Sequence, residues 1–176
     1  MPRFIRPSPS CAAWLAAVLL AGCATPAPPP PPARHVPQVA EMMSAIRAAG
    51  ERESSVIDVT PLGEPGVTAL QDAAHADTSA GRYADAAAKL DQALKLSPDS
   101  PGLLQDRAEI ALRLQDFGAA ESLARRSWSL GPKLGPLCAR NWQTVAELRQ
   151  HADDSAGAAA ARKGVGECHK GAVPRY

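Results

Sequence analysis

Aromatic residues make up only 4% of this chain. β-branched residues do not gather into strand-like runs, so an alanine-rich, all-helical core is favoured over a sheet. One-sided charge is also missing. The net charge is +1 with both signs interspersed, which argues against nucleic acid, since that partner needs a clustered basic surface. The apolar run Trp14–Ala21 is too short for a comfortable membrane span. Catalytic fingerprints are absent: there is no GxSxG, HExxH, phosphate-binding loop or Gly-rich dinucleotide turn. No nucleophile is paired with a base. Asp153 and Asp154 are consecutive and do not converge on one point, and Glu51 and Glu53 fall in a linker. An enzyme, a cofactor and a small-molecule substrate are therefore not expected, because function needs a site and no catalytic one emerges. The 176 residues leave room for about one domain.

The chain opens with Arg3 and Arg6, the apolar run, and then Leu20-Ala21-Gly22-Cys23. This resembles the bacterial lipoprotein signal, in which small residues admit a peptidase before an acylated cysteine. An ordinary secretory signal with an incidental cysteine is the alternative. The resemblance implies that residues 1–22 are removed and that Cys23 is acylated (palmitate among the chains). Each buried methylene then contributes about 0.8 kcal/mol, and several chains together anchor stably. Ala24 stands where an aspartate would mark inner-membrane retention, so the outer membrane is expected, with the domain facing the periplasm. Residues 23–66 read as a tether. Pro26, Pro28 to Pro32 and Pro37 favour polyproline II at about 3.1 Å per residue. A proline-rich ligand for a partner groove is the rival reading. Within the tether, Val39, Met42, Met43, Ile46 and Ala49 recur at helical spacing up to Gly50, a short helix that either docks on the following domain or frays. Val56 to Val59 read as extended and Pro61 to Gly66 as loop.

From residue 67 the chain repeats. Tyr83 and Phe117, Ala86 and Ala120, Leu96 and Leu130, and Pro98 and Pro132 are each thirty-four residues apart, which is the mark of a stacked repeat. Gly81 and Gln115-Asp116 are turns; Ala86, Leu90, Ala93 and Leu94 line one helix face; Pro98 stops the helix. The pattern resembles the tetratricopeptide repeat. It implies an all-α fold of about three antiparallel helix-turn-helix units in a short right-handed superhelix over residues 67–170, with 171–176 as a tail. Expected helices are 67–80 and 84–97, then a second pair opening at Pro101, capped by Ser100, and at Phe117. Asp77 and Arg107 depart from the repeat, and the first unit is expected to be loosely packed or capped by the upstream segment. In the third unit Trp142, Val145 and Ala146 fit only after a four-residue shift, and its second helix spans about 155–167.

On that register Cys138 lies just before one helix and Cys168 just after its partner. A disulfide would close the hairpin and stabilise it by roughly 3–4 kcal/mol. Two free buried thiols, or a metal site with His169 and His151, are the alternatives; no CxxC or HxxxH pair favours metal. Trp128 and Trp142 read as core joining repeats two and three rather than as ligand-stacking residues, and His75 as a surface residue rather than a catalytic one.

By resemblance to the family, the first helices line a concave surface. Its candidate partner-binding residues are Gln71, His75, Gln105, Glu109, Arg113, Arg140, Gln143 and Glu147, with Asp72 beside them. The lysine and asparagine pattern that clamps a terminal carboxylate is missing, and an extended segment of a protein partner is the expected ligand. The whole layout is similar to the Lpo-type outer-membrane lipoproteins that activate bifunctional, class A penicillin-binding proteins. The segments Val59 to Val67 and Ala139-Arg140-Asn141-Trp142 carry that likeness. It implies an envelope partner, a peptidoglycan synthase. A pilotin-like lipoprotein that escorts an outer-membrane subunit is the second reading.

Overall fold

The computed structural model describes residues 38–53 and 64–169. Cys23, the proline tract, Val56 to Val59 and the tail from 171 lie outside the described residues. Within them the chain forms α1 (Val39–Arg52), α2 (Pro65–Ser79), α3 (Tyr83–Leu96), α4 (Pro101–Arg113), α5 (Phe117–Leu130), α6 (Pro136–His151) and α7 (Ser155–Glu167), and no strand. Three antiparallel pairs, α2–α3, α4–α5 and α6–α7, follow one another, so the all-α repeat fold read from the period is the fold observed.

Each pair turns in the same way. The residue at the bend has positive φ: Gly81 at 75°, Gln115 at 61° and Asp153 at 63°. The next amide closes the helix end by donating to a carbonyl five residues back: Arg82 to Asp77, Asp116 to Ala111, and Asp154 to Arg149. This left-handed closure satisfies carbonyls that a helix end otherwise leaves bare. In the second and third turns an aspartate then caps the next helix, Asp116 accepting from the Ala119 amide and Asp154 from the Gly157 amide. Ser100 occupies the N-cap of α4, but its side chain makes no capping bond.

Small residues let the helices approach. Ala74, Ala86, Ala93, Ala108, Ala120, Ala124, Ala146, Ala158 and Ala161 are all buried, interleaved with Leu90, Leu103, Leu104 and Leu112. At Asp77 the first repeat is closed by ions. The buried carboxylate accepts from Arg82 (2.5 Å) and also takes the Lys89 ammonium. Those two partners, Lys89 foremost, hold its carboxyl below the usual range. Arg107 leaves its expected apolar role by pairing with Asp91 on α3 (2.7 Å).

The third repeat differs in its entry. α6 begins at Pro136, so Cys138 sits in the first turn of the helix rather than before it. Gly135, at φ 86°, donates its amide to the Cys168 carbonyl (2.9 Å). Cys138 and Cys168 are bonded across the pair, with Cα atoms 5.6 Å apart. Trp128 and Trp142 meet at 5.0 Å between ring centroids. Trp142 in turn lies over Gly164, where an added Cβ would fall 2.6 Å from the indole.

Helix α1 does not cap the first repeat. It packs along α6, with a lighter contact to α4. Met42, Met43 and Ile46 fill a cluster with Ala111, Leu112, Ala120 and Leu148, while Ala49 reaches the Cys138–Cys168 pair. The helix runs past Gly50 to Arg52 because Gly50 is a contact point. A Cβ there would stand 3.0 Å from the Arg140 Cγ. Glu53, nearly buried, meets the His169 ring (3.0 Å) and ties the end of α1 to the end of α7.

Candidate protein-binding surface

The first helices of the three repeats, α2, α4 and α6, are laced together by polar side chains. Asp106 is the hub. It accepts from Gln71 (2.8 Å) and Arg140 (2.9 Å) and contacts the His75 ring (3.2 Å). Arg140 also binds Glu109 through Nε (2.9 Å) and Nη2 (2.6 Å). Gln105, wholly buried, donates to Glu109 (3.0 Å) and to the Thr144 hydroxyl (2.9 Å), which donates to the Arg140 carbonyl (2.9 Å). Gln143 donates to Glu147 (2.7 Å). The chain Gln71–Asp106–Arg140–Glu109–Gln105–Thr144 thus spans three helices.

The electrostatics follow from this lacing. Burial works to raise Asp106, but the His75 contact, the Arg140 charge and the other donors outweigh it, so the carboxyl is held below its ordinary value. Burial works against the Arg140 charge, yet Glu109 and Asp106 win and its proton is held more tightly than usual. Asp106 raises His75, its hydrogen bond outweighing desolvation. Glu147 goes the other way. Burial pushes it up, the nearby Glu41 adds to that, and Gln143 offsets only part.

The eight candidate residues therefore divide. Gln105, Glu109 and Arg140 are committed to holding helices in register, and Glu147 is buried under the side of α6 near α1. Gln71 and Gln143 are half-buried. His75 is exposed, as is Asp72 beside it. Arg113 stacks over the Tyr83 ring, 5.2 Å from its centroid. The inner face of repeats two and three is partly covered by α1 through the Gly50–Arg140 contact, whereas the inner face of repeat one is not. Asp106 and Thr144 were missed from the sequence. Asp106 is the thirty-four-residue counterpart of Asp72, so the repeat itself carried a signal for it.

Among the described residues no cluster of three or more metal-ligating side chains occurs, and no helix is long and apolar enough to cross a membrane.

Stacked helical hairpins with a shared turn geometry and a laced inner face define a tetratricopeptide-repeat protein, and residues 78–133 match the tetratricopeptide repeat family model. The globular C-terminal domain of P. aeruginosa LpoP is similar in structure, with a TM-score of 0.56 at 33% sequence identity, over 59% of this chain and 98% of that one. The chain belongs to the tetratricopeptide-repeat family and is similar to that LpoP domain. The likeness to the Lpo-type lipoproteins read from the sequence is thereby met. No curated protein matches the chain in a sequence comparison.

Proposed function

We propose that the protein is an outer-membrane lipoprotein, anchored through Cys23 behind a signal peptide at 1–22, whose repeat domain binds and activates a class A penicillin-binding protein from the periplasmic side. Residues 23–37, ahead of the docked helix α1, would span the distance to the synthase, and Cys138–Cys168 would be oxidised in that compartment. The observation that carries this reading is the likeness to the LpoP C-terminal domain. It favours a synthase partner over a pilotin-like role. The laced inner face supports it. A surface whose curvature is fixed before binding loses little entropy on binding. The partner is shifted to its active state only as far as the lipoprotein binds that state better. Enzymatic activity has no place in this account. Gln71, His75, Arg113 and Gln143 are the groove residues proposed to touch the partner, while Gln105, Glu109, Arg140 and Glu147 shape the surface behind them.

Photocrosslinking in cells tests this. Photoreactive residues at positions 71, 75 and 143 should capture a penicillin-binding protein. Capture only from positions on α3, α5 or α7 would move the binding face to the other side of the repeats.

A further inference from the structure

Most arginines of this domain have a carboxylate at hand. Arg82 has Asp77, Arg107 has Asp91, Arg126 has Asp99, Arg140 has Asp106 and Glu109, and both Arg125 and Arg149 share Glu121. Two that do not, among the described residues, line the same cleft. Arg47 on α1 and Arg113 at the end of α4 border a cavity of about 370 Å³, together with Met43, Ser44 and Glu51. Arg113 has only the Tyr83 ring beneath it, and its Nε is buried with no acceptor. Stacking orients the guanidinium without using its donors, and a buried N–H left without a partner is unfavourable. Glu51 lies one turn beyond Arg47 and does not pair with it. The cleft thus presents two uncommitted guanidinium groups against one carboxylate.

We propose that this cleft receives an acidic segment of the partner polypeptide, whose carboxylates bind Arg47 and Arg113, and that α1 is one wall of the binding groove rather than part of the tether. The proposal rests on the reading that the protein binds an envelope protein, and it adds the chemistry of the bound segment. Guanidinium groups match carboxylates with two parallel donors. The cavity is of a size that takes a few side chains and not a folded domain. Gln71 and His75 on α2 meet Asp106 on α4, the helix that also carries Arg113.

The test uses the full-length protein in detergent micelles. A fluorescent twelve-residue peptide of alternating Glu and Ser, blocked at both ends, is titrated by anisotropy against its Gln counterpart. The acidic peptide should bind and weaken with added salt. Arg47→Glu and Arg113→Glu should each weaken it about tenfold, while Lys95→Glu on the exposed side of α3 should not. Arg47 is exposed on α1, so its variant keeps the test sound if Arg113→Glu unfolds. Equal binding of the Gln peptide, unchanged affinity of Arg47→Glu, or binding only to anionic lipid vesicles would overturn the proposal. A penicillin-binding protein that binds wild type and Arg47→Glu alike removes the cleft and leaves the synthase reading. One that does not bind at all removes the synthase reading, and the peptide titration still judges the cleft.

Discussion

Removal of the Cys138–Cys168 bond should cost the domain a large part of its stability through the unfolded chain. The two cysteines are thirty residues apart, and closing a loop of that length removes unfolded-state entropy worth about 3.6 kcal/mol at 25 °C. Both sulfurs are buried, packed by Ala49, Ala139 and the two tryptophans. The variant Cys138→Ala with Cys168→Ala therefore keeps an apolar environment, and its main loss is the cross-link. For a domain of this size a loss of 3.6 kcal/mol corresponds to a Tm lower by about 14 °C. Urea unfolding followed by far-UV circular dichroism and by tryptophan fluorescence measures the difference, because Trp128 and Trp142 sit beside the bond. Coincident unfolding curves for the wild type and the double variant would refute the reasoning. So would two free thiols in the purified native protein.

Other perturbations follow from the same geometry. Arg140→Ala strands Asp106 and Glu109 without their cation and should destabilise by about 3 kcal/mol, the low end for a buried pair because the guanidinium keeps some solvent contact; a Tm within two degrees of wild type, by calorimetry, contradicts it. Gly164→Ala gains about 1 kcal/mol of helix propensity, but its Cβ meets an indole that Trp128 backs, so the net change should be a loss of about 1–2 kcal/mol. A rise in Tm would show that Trp142 moves freely. Gln115→Gly relieves a left-handed residue at φ 61° and should stabilise by about 0.5–1 kcal/mol in urea titration. His75 is raised from 6.5 in the fold, chiefly by its hydrogen bond to Asp106. Its contribution is complete below about pH 6.5 and is lost as pH rises through the folded value. His75→Asn should flatten that decline, and an unchanged pH profile would contradict the assignment.

The repeat was legible because turn and packing positions recur in the chain itself. Tyr83 and Phe117, Ala86 and Ala120, and the prolines behind them fix where helices start and stop. The third unit was legible only through Trp142, since its entry is lengthened by the Gly131–Gly135 loop, and Pro136 starts the helix earlier than the tryptophan register implied. The apolar stripe of α1 was visible in Met42, Met43 and Ile46. Its destination was not, because a stripe says that a face is buried and not what buries it. Gly50 looked like a stop and is a contact with Arg140. Gln71, Gln105, Glu109 and Arg140 lie in one network across α2, α4 and α6, but the division between lacing and free residues depends on side-chain pairs such as Asp106 with Arg140 across helices. No local pattern encodes those distances.

The central claim is that this domain grips a peptidoglycan synthase and raises its activity. The most direct measurement is the rate of glycan-strand synthesis by a purified class A penicillin-binding protein from the same cells, titrated with the full-length protein. The account predicts saturable binding and a saturable increase in rate, with Arg47→Glu shifting the titration to higher concentration. A synthase that neither binds the wild-type protein nor changes rate across that titration would contradict it.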